Sequence, residues 1–374
     1  MTLSDLGWDD SFARHFQIYT ADGLVPARVT LEHKHAYELL GADGAFSAVC
    51  TGRLLHHAVG DGAVVPDDRA ELPAVGDWVA VRPRPFSGTL PPGELPIADI
   101  HAVLPRRTKF SRRAPGDSRA EQIVAANVDT IFLVTALDEN FNLRRIERYL
   151  AVAWESGAQP VVVLNKSDLP SDPAGARAEV ESVAIGAPVC LVSAASGDGL
   201  DALAPWLEPA CTVAFLGSSG VGKSTLINRV LGFEHQRTGA ISTAVHKGRH
   251  TTTHRELIVS PSGTLVIDTP GMRELQLWDV DAGALDTTFA EVAAMAAGCR
   301  FRDCSHRAEP GCAIQAALDD GTLPADRWQS YQKLQREQAY AARKSNVHLA
   351  RETKAQWKRL HVGMRQKARL EEAE

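Results

Sequence analysis

The segment GSSGVGKS, Gly217–Ser224, constrains the fold of this chain more than any other. It matches the phosphate-binding pattern G-x-x-x-x-G-K-[ST] in full, between a strand-like segment, TVAFL, and a helix-like segment, STLINRVLG. Glycines let backbone N–H groups surround an anion, and the N-terminus of the following helix favours negative charge. The pattern predicts an α/β domain in which Lys223 contacts the β- and γ-phosphates of a nucleotide and Ser224 binds Mg²⁺. The alternative is a glycine-rich turn without a ligand.

A second motif, Asn165-Lys166-Ser167-Asp168, follows the apolar segment VVVL. A carboxylate at Asp168 can accept hydrogen bonds from N1–H and the 2-amino group of guanine, whereas adenine offers neither donor. The stem of Lys166 can cover the base, and Asn165 can tie this loop to the phosphate loop. Ser193-Ala194 ends the next strand-like segment, where a backbone N–H is expected to meet the guanine 6-oxo group. The motif predicts a guanine nucleotide.

The order of these motifs is unusual, because in most GTPases the phosphate loop precedes Asn-Lys-x-Asp and here it follows. Strand-like and helix-like segments alternate from about residue 120, which predicts a mostly parallel sheet flanked by helices. Moving the first half of this region to its end restores the usual order without a missing element. Domain termini often lie close together, so such a rearrangement is physically acceptable. The sequence therefore predicts a circularly permuted GTPase domain.

Two further segments are expected to contact the γ-phosphate and Mg²⁺. Asp268-Thr269-Pro270-Gly271 ends a strand-like segment, so Asp268 is expected to hold Mg²⁺ and the Gly271 N–H to meet the γ-phosphate. The segment GRHTTT offers three candidate Mg²⁺ ligands, Thr251, Thr252 and Thr253. The pattern does not distinguish among them, and we take Thr252 as the predicted ligand. The residues predicted to bind GTP are Asn165, Lys166, Ser167, Asp168, Ser193, Ala194, Gly217, Ser218, Ser219, Gly220, Val221, Gly222, Lys223, Ser224, Thr225, Asp268 and Gly271.

The residue after Gly271 is Met272, where many GTPases carry the glutamine that orients the attacking water. A methionine side chain cannot do this, so we expect slow intrinsic hydrolysis. Catalysis would then depend on His250, on a neighbour such as Arg273, or on a partner. The predicted catalytic residues are His250, Lys223 and Thr252, and the alternative for His250 is a solvated loop histidine.

A cysteine and histidine cluster follows the nucleotide motifs, with the spacing C-x₄-C-x-H-x₅-C. Three thiolates and one imidazole form a closed tetrahedral shell, which predicts a structural zinc site. Its ligands are Cys299, Cys304, His306 and Cys312. The alternative is three free thiols beside a surface histidine. The other cysteines are predicted to be buried thiols: Cys50, Cys190 and Cys211.

The first hundred residues have a different pattern, because short, partly alternating segments are separated by Gly, Pro and Asp. PARVTLE, AFSAVCTGRLL and GDWVAVRP are predicted strands, and no long helical period follows Leu40. The pattern predicts a small β-barrel, of which an OB-like barrel is one option. The predicted domains are the barrel with a basic linker (1–113), the GTPase domain (114–284) and an α-helical zinc-binding domain with a basic helical end (285–374).

Charge and hydropathy bear on location and partners. The formal net charge is −6, but basic residues dominate after Trp328 and in the linker PRRTKFSRR. Such patches favour a polyanionic partner, and the alternative for the C-terminal one is a solvated helix face. The N-terminus does not resemble a signal peptide, and no apolar run reaches the ~18 residues of a membrane span. We expect a cytoplasmic protein.

Together, the barrel, the order NKSD–SAA–GSSGVGKS–GRHTTT–DTPG and the Cys/His cluster resemble the circularly permuted GTPases of the RsgA (YjeQ) family. The resemblance implies an OB-fold and a late maturation role on the small (30S) ribosomal subunit, whose rRNA would stimulate GTP hydrolysis. It also implies a catalytic histidine in GRHTTT, here His250, and we expect a monomer. The alternatives are a permuted GTPase of large-subunit assembly and a nucleotide-gated RNA-binding module with negligible hydrolysis.

Overall fold

The computed structural model of the chain describes residues 1–33, 36–59, 71–86, 90–91, 94–113, 121–234, 255–268 and 282–345. In these ranges the chain forms an N-terminal barrel, a central sheet flanked by helices, and a C-terminal group of helices. No helix in the described ranges combines the length and the apolarity that a membrane span requires.

Five strands close the N-terminal barrel. They are β1 (Val25–Glu32), β2 (Tyr37–Gly41), β3 (Gly44–Cys50), β4 (Trp78–Pro83) and β5 (Ile97–Val103). Hydrogen-bonded neighbours follow the order β1-β2-β3-β5-β4-β1, in which β3 and β5 run parallel and the other pairs are antiparallel. This order is that of an OB-like barrel, which confirms the prediction.

The barrel strands alternate between an inner and an outer face. The fully buried inner residues are Ala27, Val29, Leu39, Ala48, Val79, Val81, Ala98 and Ile100. Trp78 is buried on the other face of β4, where Trp8 lies edge-on against it with ring centroids 4.7 Å apart. Helix α1 (Asp10–Thr20) adds Phe12 and Phe16 to this cluster. Its N-terminus is capped by Asp9, whose carboxylate accepts from two backbone N–H groups of the first turn.

One expected strand is partly helical. The segment AFSAVCTGRLL was predicted as one strand, but β3 ends at Cys50 and helix α2 (Gly52–Val59) follows. The hydroxyl of Thr51 accepts a hydrogen bond from the Leu54 N–H at 3.3 Å, so this threonine begins the helix as a side-chain cap. The prediction of a continuous strand was wrong because the capping threonine is the one local feature of the sequence that marks the start of this short helix.

A buried arginine joins the barrel to the central sheet. β6 (Lys109–Arg113) and β7 (Glu121–Ala126) form a separate antiparallel pair that leads from one to the other. Beside it, Arg28 is 1 % exposed, and its guanidinium donates to Gly76 O at 3.2 Å, Asn127 O at 3.1 Å and Thr212 Oγ1 at 2.9 Å. Burial lowers the pKa of Arg28 to about 10, which leaves it charged at neutral pH. These bonds compensate for its desolvation.

The central sheet has the predicted permuted order. Its strands are β8 (Thr130–Ala136), β9 (Gln159–Asn165), β10 (Val189–Leu191), β11 (Thr212–Leu216), β12 (Glu256–Val259) and β13 (Leu265–Asp268). Across the sheet the order is β10-β9-β8-β11-β13-β12, and all neighbours are parallel except β12. β11, which leads into the phosphate loop, is therefore central although it comes late in the chain. Counted from β11 as first strand, the order is 2-3-1-4-5-6, that of an unpermuted GTPase.

Helices cover the central sheet. They are α3 (Leu143–Ser156), α4 (Pro173–Glu181) and α5 (Lys223–Leu231), with a 3₁₀ helix at Leu200–Trp206. α3 begins at Asn142, whose side chain accepts from the Arg145 N–H at 3.1 Å, and it ends at Gly157 with φ +83°. Gly157 suits the end of this helix, because glycine adopts a positive φ at little cost.

The C-terminal helices pack against α3. They are α6 (Ala282–Thr288), α7 (Ala290–Ala297), α8 (Ala313–Asp319) and α9 (Ala325–Ser345). Glu147 of α3 is fully buried and accepts from Arg327 Nη1 at 2.7 Å and from the Ser330 hydroxyl, both on α9. A buried carboxylate requires such partners. The basic segment beyond residue 345 lies outside the described residues.

Candidate nucleotide site and metal centre

The phosphate loop connects β11 to α5. Gly220 and Gly222 have φ values of +82° and +91°, which glycine adopts readily. A Cβ at Gly217 would lie 2.2 Å from Val134 O, so the loop can leave the sheet only with glycine there. The Lys223 ammonium donates to Gly217 O at 2.7 Å and to Ser218 O at 2.6 Å. The positive charge of Lys223 therefore lies beside the first two residues of the loop.

Asn165 joins three loops. Its Nδ2 donates to Val221 O in the phosphate loop at 2.8 Å, and its Oδ1 accepts from the Ala194 N–H at 2.9 Å. The residue is 2 % exposed, so these bonds are shielded from water. The contact with the phosphate loop that the sequence predicts is present. The Asn-Lys-x-Asp loop, the Ser-Ala loop and the phosphate loop thus form one site at the carboxyl edge of the sheet.

The residues predicted to recognise the base also lie close together. Asp168 accepts a hydrogen bond from the Ser193 hydroxyl, which lowers the pKa of this exposed carboxyl and keeps it ionised. Lys166 has a positive φ of +62°, and its ammonium donates to Asp138 Oδ2 at 2.8 Å. The bond from Lys166 holds the pKa of Asp138 below its ordinary value, although partial burial acts in the opposite direction.

Sequence reasoning missed several residues that support this site. Arg229 of α5 donates to Ala194 O at 3.1 Å and to Ala195 O at 2.9 Å, which holds the Ser-Ala loop against α5. Asp138 lies just beyond β8, so its position at the carboxyl end of a predicted strand could have signalled it. For Arg229, the sequence offers no comparable signal.

Two of the predicted Mg²⁺ ligands, Ser224 and Asp268, lie at the carboxyl ends of neighbouring strands. Ser224 lies in the first turn of α5 with Thr225, and Asp268 ends β13. β11 and β13 are parallel neighbours, with Ala214 opposite Ile267, so the two oxygen-bearing side chains lie at the same edge. A hydroxyl and a carboxylate fit a hard cation such as Mg²⁺. The other predicted residues of this part, His250, Thr251, Thr252, Thr253, Gly271, Met272 and Arg273, lie outside the described residues.

Comparison with known proteins gives the family. A sequence model described as RsgA GTPase matches residues 103–278. The chain is 63% identical to "Small ribosomal subunit biogenesis GTPase RsgA" of Opitutus terrae over 371 residues, 99% of each chain. This chain belongs to the RsgA GTPase family. It is also 47% identical to the protein of that name from Syntrophotalea carbinolica, over 93% of this chain and 92% of the relative. Members of the family are GTP-hydrolysing enzymes, and this chain is one of them.

Solved structures support the permuted fold of this RsgA-family chain. The crystal structure of YjeQ from Thermotoga maritima superposes with a TM-score of 0.58 at 25% identity, over 84% of this chain and 98% of that one. YloQ, described as a circularly permuted GTPase, gives 0.53 at 26% identity, over 84% and 95%. A sequence model of ABC transporters also matches residues 200–373, a range that contains the phosphate loop but not Asn165–Asp168.

The Cys/His cluster has the dimensions of a zinc site. Cys299 Sγ lies 3.5 Å from His306 Nδ1 and 3.9 Å from Cys312 Sγ, and Cys312 Sγ lies 3.5 Å from His306 Nδ1. With Cys304, all four ligand atoms lie within 4.8 Å of one another. Tetrahedral zinc with ordinary bond lengths would separate two sulfurs by about 3.8 Å and a sulfur and a nitrogen by about 3.5 Å. The predicted residues therefore fit zinc.

Surrounding residues hold the four ligands in position. Cys312 caps α8, and its sulfur accepts from the Gln315 N–H at 3.5 Å. The Gln315 side chain donates to His306 O at 2.7 Å, and His306 has a φ of +57°. Glu309 accepts from the Ser305, Arg307 and Ala308 N–H groups and so closes the loop around the histidine. Such outer contacts orient metal ligands.

The remaining cysteines only partly match their prediction. Cys190 is buried, but Cys50 and Cys211 are half-buried. Cys50 is the last residue of β3 and Cys211 directly precedes β11, so both lie at the end of a strand, where burial is incomplete. Burial raises the pKa of all three thiols, that of Cys50 to about 11, which leaves them protonated and weakly reactive.

Proposed function

We propose that this chain is a GTP hydrolase that acts in late maturation of the small (30S) ribosomal subunit, binds its rRNA, and is stimulated by the subunit. The observation that carries the guanine-nucleotide part is the pair of hydrogen bonds that Asn165 makes, donating to Val221 O and accepting from the Ala194 N–H, which joins base recognition to phosphate binding. The ribosomal part is supported by the extent of identity to relatives named for small-subunit biogenesis.

The geometry of the site supports a nucleotide role for each of its residues in this proposal. The Asp168 carboxylate accepts from guanine N1–H and the 2-amino group, and the Ala194 loop meets the 6-oxo group. Phosphate oxygens replace the two carbonyl oxygens that Lys223 now contacts. Ser224 and Asp268, with Thr252, hold Mg²⁺, which neutralises phosphate charge when bound. Gly271 donates its N–H to the γ-phosphate.

Catalysis in this proposal uses Lys223 to stabilise charge, Thr252 to close the site, and His250 to orient the attacking water. Because Met272 cannot replace a glutamine in that role, hydrolysis is slow without stimulation by the subunit. The zinc ion at Cys299, Cys304, His306 and Cys312 has a structural role, since its shell of four protein ligands leaves no open position.

In this proposal the three domains, 1–113, 114–284 and 285–374, have separate functions. The barrel and the basic C-terminal segment bind rRNA, since OB-like barrels bind oligonucleotides and basic side chains bind phosphates. The factor acts as a monomer in the cytoplasm, where small subunits are assembled.

A single-turnover assay tests this function. GTP hydrolysis is measured with the chain alone, with small subunits and with large subunits, at one ionic strength because phosphate contacts are salt-dependent. Strong stimulation by small subunits alone supports the proposal. Stimulation by large subunits alone would instead indicate a large-subunit factor, and no stimulation by either would indicate a nucleotide-gated RNA-binding module.

A further inference from the structure

Two adjacent arginines in the first turn of α3 contact different parts of the molecule. Arg145 Nη1 donates to the Ser218 hydroxyl in the phosphate loop at 3.1 Å, and also to Asn140 O at 3.3 Å. Arg144 donates to Asp326, the second residue of α9. Consecutive residues of an α-helix point about 100° apart, so a single turn faces both the nucleotide site and the C-terminal helices.

The C-terminal helices hold α3 firmly. Glu147, one turn after Arg144, is fully buried and bonds to Arg144, Arg327 and Ser330. Further along, Arg148 donates to Glu337 of α9 at 2.8 Å. Because a buried carboxylate is costly to leave without these partners, α3 and α9 are expected to move together.

Arg145 is well suited to position the phosphate loop. Its own N–H is held by the Asn142 cap, so its backbone is fixed at the start of the helix. The guanidinium contacts Ser218 from α3, whereas Lys223 binds the Ser218 carbonyl from within the loop. When phosphate oxygens replace the Ser218 carbonyl at Lys223, the bond from Arg145 remains, so the position of Ser218 then depends on where α3 begins.

We propose that Arg145 is a positioning residue for the phosphate loop, through which docking of the C-terminal helices on α3 tunes nucleotide affinity. We call this series of contacts the relay. Asp326 bonds to Arg144, Arg144 and Arg145 are adjacent in the first turn of α3, and Arg145 bonds to Ser218. Its biological relevance rests on the proposed function. The binding experiment contains no ribosomal subunit, however, so the relay can fail while the subunit assay succeeds, and the reverse.

The experiment measures GDP and GTP dissociation constants by fluorescence titration of full-length, zinc-loaded protein. Arg145→Ala and Ser218→Ala are each expected to weaken binding by about tenfold, the size of one charge-assisted hydrogen bond. The double variant is expected to bind no more weakly than either single one, because both remove the same contact. Arg145→Lys restores part of the affinity, since an ammonium can also donate to Ser218. Arg177→Ala, which removes a surface pair on α4, leaves affinity unchanged.

The relay is tested by Arg144→Ala. It is expected to weaken nucleotide binding in the wild-type background and to have no further effect in the Arg145→Ala background. Thermal unfolding midpoints are measured for every variant, because a merely structural role would lower the midpoint without the non-additive affinity pattern. Losses that multiply between Arg145→Ala and Ser218→Ala, or an Arg145→Ala affinity within twofold of wild type, would overturn the positioning role. An Arg144→Ala loss that persists without Arg145, or no loss at all, would overturn the relay.

Discussion

The side-chain amide of Asn165 occupies the space that any side chain on Gly222 would need. A Cβ on Gly222 would lie 2.3 Å from Asn165 Nδ2, and the φ of Gly222 is +91°. The same nitrogen donates to Val221 O at 2.8 Å. The loop predicted to select the base and the predicted phosphate-binding loop therefore fit together only when residue 222 is glycine.

Gly222→Ala is expected to weaken GTP binding about 100-fold, since it strains the backbone and displaces the Asn165 amide. The matched control is Gly232→Ala at the end of α5. This glycine also has a positive φ, +75°, but a Cβ there would meet no atom within 4 Å. Gly232→Ala should lower stability and leave GTP affinity unchanged, as measured by titration calorimetry. Equal losses of affinity in both variants would contradict the fit between the two loops.

Asp168→Asn is expected to weaken GTP binding and to create affinity for xanthosine triphosphate. An asparagine amide can accept from xanthine N1–H and donate to its 2-oxo group, whereas it clashes with the guanine 2-amino donor. Asp172→Asn is the control, because Asp172 caps α4 through the Gly175 N–H and lies outside the proposed site. Competition titrations with both nucleotides measure the switch. If Asp168→Asn kept the wild-type preference for GTP, the assignment of Asp168 to the base would be wrong.

Cys304→Ser is expected to release zinc and to loosen the C-terminal helices while the barrel and the central sheet stay folded. Zinc-site geometry depends on all four ligands, and the binding energy contributes to local folding. Zinc content by mass spectrometry and amide hydrogen exchange across residues 290–320 provide the measurements. Cys211→Ser, which removes a half-buried thiol before β11, should change neither. Retention of one zinc per chain in Cys304→Ser would argue against the site.

Arg106→Met is expected to destabilise the fold by about 3–5 kcal/mol at neutral pH, because it removes the partner of a buried carboxylate. Asp77 is fully buried and accepts from Arg106 Nε at 2.8 Å and Nη2 at 2.7 Å. Burial raises the pKa of Asp77 even with Arg106 present. Because Arg106 favours the ionised carboxylate, its removal raises the pKa of Asp77 further, so the destabilisation should grow as pH rises through the folded pKa and shrink as pH falls.

Urea unfolding at pH 5 and pH 8 measures this dependence. The control is Arg84→Met, which removes a half-exposed pair with Asp99 in the same barrel and should cost under about 1 kcal/mol at both pH values. A pH-independent loss in Arg106→Met would indicate that packing of the arginine stem, rather than its charge, stabilises the barrel.

The motifs and their permuted order could be predicted from the sequence, because strand–loop–helix spacing places Asn165–Asp168 and Gly217–Ser224 at one sheet edge. The short helix α2 was missed since its start depends on one capping bond from Thr51. Arg145 and Arg229 were missed for a different reason. Their partners lie 73 and 35 residues away, and only packing of α3 and α5 on the sheet brings them together.

Competition between nucleotides tests most directly whether Asp168 and Lys223 bind opposite ends of one guanosine phosphate. A fluorescent GDP analogue is bound to the full-length chain and displaced with GTP or with ATP. GTP should displace it at concentrations at least ~1,000-fold lower than ATP, because adenine leaves the Asp168 carboxylate without its donors. Displacement by ATP as effective as by GTP would contradict the single guanine-nucleotide site.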